Sequence, residues 1–416
     1  MSEPVNTVIL VDSLKPEGVQ KGVLLQAPRF DRERFAVRVW ALRSGGKSLE
    51  LTGEFEKSRI PVESVPVGHF NDRKGIVALA RKLAEERIGL LNTRSFYPNI
   101  IGRVAARLVH VPATVVHYHS TYAHQWGPKI IPYEYLLRES TDAFVCVSQA
   151  VHDYVQPLLR LPKARTHIIH NSVDVSEFAH LPEKQWARAF LKLPTEAPVI
   201  AAVGRLTQVK DLQAFIRAVP RILDRIKNAV FVLVGEGEDH GKILNLIRIY
   251  GLTRSVLLLG PCADMPCVLS AADCVVVPSL VEGFPRIVLE CFASRTPVVA
   301  TPAGGTPEIL RDGENALSIP FSSSDAIAAA VIRTLLSPEE TRKRCECALR
   351  DVQAYDVDDW VRKTQEVFAE AATRHRPEIA TRRSAAPALN PLKLQWDLAK
   401  FRLTMRMTRH GDKEKQ

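Results

Sequence analysis

In two separate stretches of the chain, short apolar runs alternate with helical patterns, and this rhythm restricts the fold more than any other feature. The first set of runs falls at 8–11, 37–42, 89–92, 114–117 and 143–147, with helical stretches at 74–86, 99–108 and 151–159. Such alternation predicts a parallel sheet with helices on both faces. The rhythm restarts at 199–203, 230–234, 256–259, 274–277 and 297–300. Between these runs, Leu212, Phe215, Ile216, Val219 and Leu223 repeat at helical spacing, which predicts an amphipathic helix over 211–225. A chain of 416 residues can bury two such cores. The expected class is therefore α/β, with two doubly wound units.

Ligands of such sheets bind at the carboxyl ends of the strands, so polar residues at those ends are the site candidates. The run 274–277 leads into Glu282-Gly283-Phe284-Pro285-Arg286, where Pro285 suits the first position of a helix reaching about Ala293. Residues 287–293 are apolar apart from Glu290, so a buried helix is expected, with Glu290 in need of a donor. Glu282 falls just before the first turn, where backbone N–H groups and the helix dipole collect anions. Two carboxylates beside an anion hole suit a ligand that is part sugar, part phosphate. Arg205 follows the run 199–203 and Lys210 precedes the 211–225 helix, a fork and a point charge fit for a diphosphate. Taken singly, each reads first as a solvated surface charge; the pairing in Gly-Arg-Leu-x3-Lys favours function. Gly235-Glu236-Gly237 admits either a nucleotide base close to the backbone or a plain turn. In the first set, the strand ends carry Thr93-Arg94-Ser95, His117-Tyr118-His119-Ser120 and Ser148. Arg94 reads first as an exposed strand-end arginine and second as a contact for an acidic acceptor. Ser148 reads as the cap of a helix starting near Val151.

Gly204-Arg205-Leu206 with Lys210, then Gly235-Glu236-Gly237, then Glu282 and Glu290, then Thr301-Pro302-Ala303-Gly304-Gly305 with Pro307-Glu308, resemble in that order the retaining GT-B nucleotide-sugar glycosyltransferases of family four. A Glu-x7-Glu pair alone is weak; the ordered set is specific. The resemblance implies two Rossmann-like domains facing a cleft, with a C-terminal helix crossing back to the first. It divides the chain into an acceptor-side domain at 1–172, a nucleotide-sugar domain at 173–353, a crossover helix at 354–373 and a basic tail at 374–416. It also implies roles. Arg205, Lys210 and N–H groups from Gly283 to Arg286 stabilise the leaving diphosphate, Glu282 holds sugar hydroxyls, and Glu290 holds the ribose diol. His119 contacts the transferred sugar while His117 points the other way on its strand. Gly204, Gly235, Phe284 and Gly18 complete the donor site, although the family's first-turn glycine pair is here only Gly18 and Gly22. Asn171-Ser172-Val173-Asp174 resembles the family's interdomain Asn-Gly-Val-Asp, with Ser172 in place of Gly. Glu308 is read as a first-turn carboxylate. No metal or cofactor is implied, the donor being a substrate.

Seven Cys without a Cys-x2-Cys pair match neither a zinc site nor a disulfide framework. The net charge is +10, and 374–416 holds eleven Lys and Arg against four Asp and Glu, which is +7 of it. A nearly neutral body argues against nucleic-acid binding. Within 391–409, Leu392, Trp396, Ala399, Leu403 and Met407 share a helical face, with Lys393, Lys400, Arg402, Arg406 and Arg409 largely elsewhere. Two readings stand for that helix, one lying on an anionic membrane and one packed on the protein. No apolar run reaches the roughly 20 residues of a bilayer span, and the start carries no leader pattern. The expected location is cytoplasmic, at the inner face of the membrane if the tail binds lipid. The expected function is retaining transfer of a sugar from a nucleoside diphosphate sugar to a glycan or lipid-linked acceptor, in polysaccharide or lipopolysaccharide assembly. A GT-B epimerase or phosphorylase, or a non-catalytic membrane-surface scaffold, is the alternative.

Overall fold

The computed structural model describes residues 3–43, 51–121, 131–262 and 264–375. The chain forms two compact units, one running to His170 and resuming at Asp358, the other Asn171–Val357. The first is built on seven parallel strands: β1 (Val5–Val11), β2 (Phe35–Ala41), β3 (Val62–Ser64), β4 (Leu90–Arg94), β5 (Ala113–Tyr118), β6 (Ala143–Cys146) and β7 (Thr166–Ile168). Their order is β3-β2-β1-β4-β5-β6-β7. Successive residues of a strand face opposite sides. Thus Val8 and Leu10 join a core with Leu79 and Leu83 of helix Arg73–Glu85 and Ile101 of helix Phe96–Leu108. Ile9 and Val11 join another with Val23 of helix Gly18–Gln26.

The closing helix Val357–Arg374 packs on this first sheet. Its Phe368 ring lies 5.4 Å from Phe30, and its Thr364 hydroxyl accepts from Gln26 Nε2 at 2.8 Å. Under the sheet's other face, buried Arg103 pairs with buried Glu134 of helix Ile131–Leu137. Arg103 Nε donates to Asn99 O, and Tyr118 Oη donates to Glu134 Oε2 at 2.8 Å. Burial first, and the Glu134 charge second, holds the Tyr118 hydroxyl well above its ordinary pKa.

The second unit carries six parallel strands: β8 (Val199–Val203), β9 (Val230–Val234), β10 (Val256–Gly260), β11 (Cys274–Val277), β12 (Val298–Ala300) and β13 (Leu317–Ser318). Their order is β10-β9-β8-β11-β12-β13. Helix Leu212–Arg225 buries Leu212, Phe215, Ile216 and Val219, as their spacing predicts, and Leu223 packs beside them partly exposed. In each sheet the winding reverses beside the first strand, between β1 and β4 and between β8 and β11. Loops leaving those strand pairs diverge, and ligands settle there.

The short strands β3, β7 and β13 were not expected from the sequence. Each lies at a sheet edge and has only two or three residues, too few to carry a period. Pro285 is also corrected by one position: it is the extended residue ahead of the helix Arg286–Ala293, not its first member. The amphipathic segment 391–409 lies outside the described residues. Among the described residues, no helix is long and apolar enough to cross a membrane.

Candidate active site

The carboxyl rim of the second sheet is held together by backbone hydrogen bonds between loops. Gly204 N donates to Val234 O at 2.9 Å, Leu206 N to Glu236 O at 2.9 Å, and Gly235 N to Gly260 O at 2.8 Å. Leu280 N donates to Val209 O at 2.8 Å, and Gly305 N to Gly283 O at 3.0 Å. The loops after β8, β9, β10, β11 and β12 thus form one connected edge. Two glycines make the close approach feasible. A Cβ on Gly235 would stand 2.0 Å from Gly204 O, and one on Gly304, whose φ is +52°, would stand 1.8 Å from Glu282 O. Gly304→Ala therefore has to move the Glu282 backbone and is expected to cost about 1–3 kcal/mol of stability in the second unit, read by urea unfolding. Gly313→Ala is the control, because Gly313 has φ +74° but nothing within 4 Å of its added Cβ.

On this edge the structure brings together Lys210 and Glu282, distant in sequence. Lys210 Nζ lies 2.6 Å from Glu282 Oε1, and Glu282 is 8% exposed. The single turn Gln208–Lys210 aims the lysine inward, and helix Leu212–Arg225 starts behind it. An ammonium has three donors, so up to two remain for a phosphate while Glu282 holds the third. The ion pair joins two residues whose motifs point to different parts of a ligand, so the motifs alone do not predict it. Arg205 stands exposed two residues beyond β8. Arg286 opens the helix Arg286–Ala293, whose first-turn N–H groups have no intrahelical partner. Burial pulls the Arg286 guanidinium down, and the charges of Glu290 and Glu177 oppose that. Glu290 is half-buried rather than enclosed, one turn beyond Arg286. Phe284 turns its ring into the protein, 5.3 Å from Tyr355. Its carbonyl accepts from Asn171 Nδ2 at 2.8 Å, so Asn171 anchors the Glu282–Arg286 loop, a role its sequence context did not reveal. Glu308 belongs to the single turn Thr306–Glu308, and its carbonyl accepts from Tyr355 Oη at 3.2 Å.

In the first unit, Gly18 starts the helix Gly18–Gln26, and an added Cβ there meets nothing within 4 Å. Ser148 Oγ accepts from Val151 N at 3.1 Å, capping a helix that starts at Gln149. Two expectations are corrected. His117 does not face away from His119: residues two apart on a strand share a side, and the two rings lie 5.9 Å apart. Arg94 is not an exposed strand-end residue but fully buried, because helices Gly18–Gln26 and Val357–Arg374 cover that side of β4.

Two parallel α/β sheets, a glycine-sewn rim carrying a lysine–glutamate pair on the second, and a closing helix packed on the first make up the GT-B architecture. HepE of Anabaena, in its structure with UDP-glucose, shares the fold at a TM-score of 0.77 and 23% identity, over 88% of this chain and 99% of that one. Residues 16–177 match the family described as Glycosyltransferase Family 4, and residues 183–351 match Glycosyl transferases group 1. The chain belongs to this family, and is thereby a glycosyltransferase acting on a nucleotide sugar. It is 25% identical, over 84% of its length and 93% of the other, to the UDP-Gal:alpha-D-GlcNAc-diphosphoundecaprenol alpha-1,3-galactosyltransferase of Escherichia coli. It is 29% identical to the lipopolysaccharide core biosynthesis glycosyltransferase LpsE of Rhizobium meliloti, over 46% of this chain and 53% of that one.

Proposed function

We propose that this glycosyltransferase moves a hexose, with retention of configuration, from a uridine diphosphate sugar to a lipid-linked glycan acceptor of the cell envelope. The observation that carries the reading is the Lys210–Glu282 contact at the switch point of the second sheet. Transfer breaks the bond between the anomeric carbon and the diphosphate oxygen and forms one to an acceptor hydroxyl. The hydroxyl proton goes to the leaving phosphate. Negative charge gathers on that phosphate, where Lys210, Arg205 and the first-turn N–H groups at Arg286 stabilise it without needing a metal. Glu282, oriented by Lys210, takes sugar hydroxyls, Glu290 takes the ribose diol, and His119 contacts the sugar. Attack on the same face as the leaving group, assisted by its phosphate, accounts for retention.

The lipid-linked acceptor is supported by the Escherichia coli relative, whose length this chain nearly spans, and by the lipopolysaccharide relative. The reading puts the enzyme at the cytoplasmic face of the membrane, with 391–409 as its contact to anionic lipid.

A thermal-shift panel of uridine and guanosine diphosphate sugars is the first test, since ligand at a hundred times its Kd adds about 2.7 kcal/mol of stability. No shift with any uridine compound counts against the donor. The chosen donor is then incubated with a diphosphate-linked lipid acceptor, with chelator present. An α-linked product from an α-linked donor is expected by NMR; conversion of the donor without acceptor would mark an epimerase instead. Glu290→Ala is expected to weaken donor binding by about 1.5–3 kcal/mol, the range for a hydrogen bond to a charged group. Unchanged affinity in calorimetry removes Glu290 from the ribose.

A further inference from the structure

Arg94 is a cation enclosed by neutral groups. Its Nε donates to Asn92 Oδ1 at 2.8 Å, its Nη2 donates to Gln26 Oε1, and its guanidinium carbon lies 6.0 Å from the centre of the Trp360 ring. Nη1 has no hydrogen-bond partner, and no carboxylate joins the cluster among the described residues. A buried charge without a counter-ion is expensive, so a chain that retains one is using it or tolerating it. The placement favours use. Arg94 on β4 stands in register with His117 on β5, side by side on the same sheet face. The His117 ring in turn lies 5.9 Å from that of His119, just past the end of β5.

We propose that Arg94 is a positioning residue for the transfer reaction: held in register beside His117, its fixed charge opposes an added proton on the His117–His119 pair. The inference rests on the reading of His119 as a sugar contact. Its logic is electrostatic. Positive character develops at the anomeric carbon as the diphosphate leaves, and a proton on the adjacent imidazole opposes it. Arg94, one strand further off and fixed by Asn92 and Gln26, repels that proton.

The other neighbours of His117 add no charge. Val145 is its partner on β6, and Phe368 of the closing helix is 6.5 Å away. His167, two strands over on the same face, is lowered first by burial, with Glu370 opposing that and Arg374 adding to it. Consistent with this, burial first, then Arg94 and His119, hold His117 well below the ordinary imidazole range. Burial alone brings Arg94 to about 9, still a cation at neutral pH.

The test compares Arg94→Met, Arg94→Lys and Gln26→Glu in the full chain, following His117 by 15N imidazole NMR and kcat/KM against pH. A unit charge on the adjacent strand, roughly 5–7 Å away, is worth about two pH units at an effective dielectric of ~20. Arg94→Met is expected to raise the His117 titration and the acid limb of kcat/KM by about that much, while Arg94→Lys leaves both near wild type. Gln26→Glu keeps the arginine but neutralises it, and the same upward shift is expected; it decides the matter if Arg94→Met does not fold. An unmoved His117 titration and pH profile in the folded variants would mean that Arg94 only packs, and would overturn the inference. His119→Ala with undiminished turnover overturns instead the reading of His119, whatever the titration does.

Discussion

Lys210→Ala is expected to lower kcat by about 10²–10³-fold, equivalent to about 2.7–4 kcal/mol, the usual cost of deleting one donor to a transition-state oxyanion. Charge on the diphosphate grows as the glycosidic bond breaks, so an ammonium beside it contributes more in the transition state than in the bound donor. The fall therefore shows in kcat more than in KM. The ion pair complicates the single variant, because removing Lys210 leaves the Glu282 carboxylate buried without the ammonium 2.6 Å away. Glu282→Gln and the double variant separate the two effects. If Lys210 acts on the leaving group, the double variant stays as slow as Lys210→Ala; if the lysine only neutralises Glu282, the double variant recovers. Near-normal turnover of Lys210→Ala at saturating donor would dismiss the lysine from the chemistry.

Glu134→Ala is expected to destabilise the first unit by about 3–5 kcal/mol, the cost of breaking a buried ion pair from one side. Arg103 would keep its charge in a fully buried position, and the Tyr118 hydroxyl would lose its acceptor. The measurement is urea unfolding followed by Trp40 fluorescence, Trp40 being buried in that unit's core. Replacing Arg103, Glu134 and Tyr118 together by Met, Leu and Phe is expected to recover much of the loss, since an apolar cluster of similar volume carries no desolvation cost. A single variant unfolding at the wild-type urea concentration would show that water already reaches Glu134.

The contrast between the two sites shows what a sequence can disclose. Strands β8, β9 and β11 have the ends expected of them because each is an apolar run interrupted by Gly, Asp, Pro or Ser. Edge strands of two or three residues take their existence from a neighbour, so their own residues say little. Lys210 and Glu282 stand in motifs and were named, but their ion pair joins two loops 72 residues apart and needed the fold. The Arg103–Glu134–Tyr118 cluster has no motif, and a helical arginine or glutamate reads as surface until a partner is seen to enclose it. Arg94 was misread for the same reason: the Gln26 that receives it lies 68 residues away, and Gln26 also reaches Thr364 across 338 residues. His117 needed only the two-residue period of a strand, applied to His119 as well.

The backbone stitching of the second sheet's rim bears on how its loops can be exchanged. A loop transplanted from a cousin with another preference arrives without its matching neighbours, and Gly304 tolerates no misfit against Glu282. Exchange of all five loops as a block should succeed where piecemeal grafting fails, because each loop's backbone donors and acceptors belong to its neighbours.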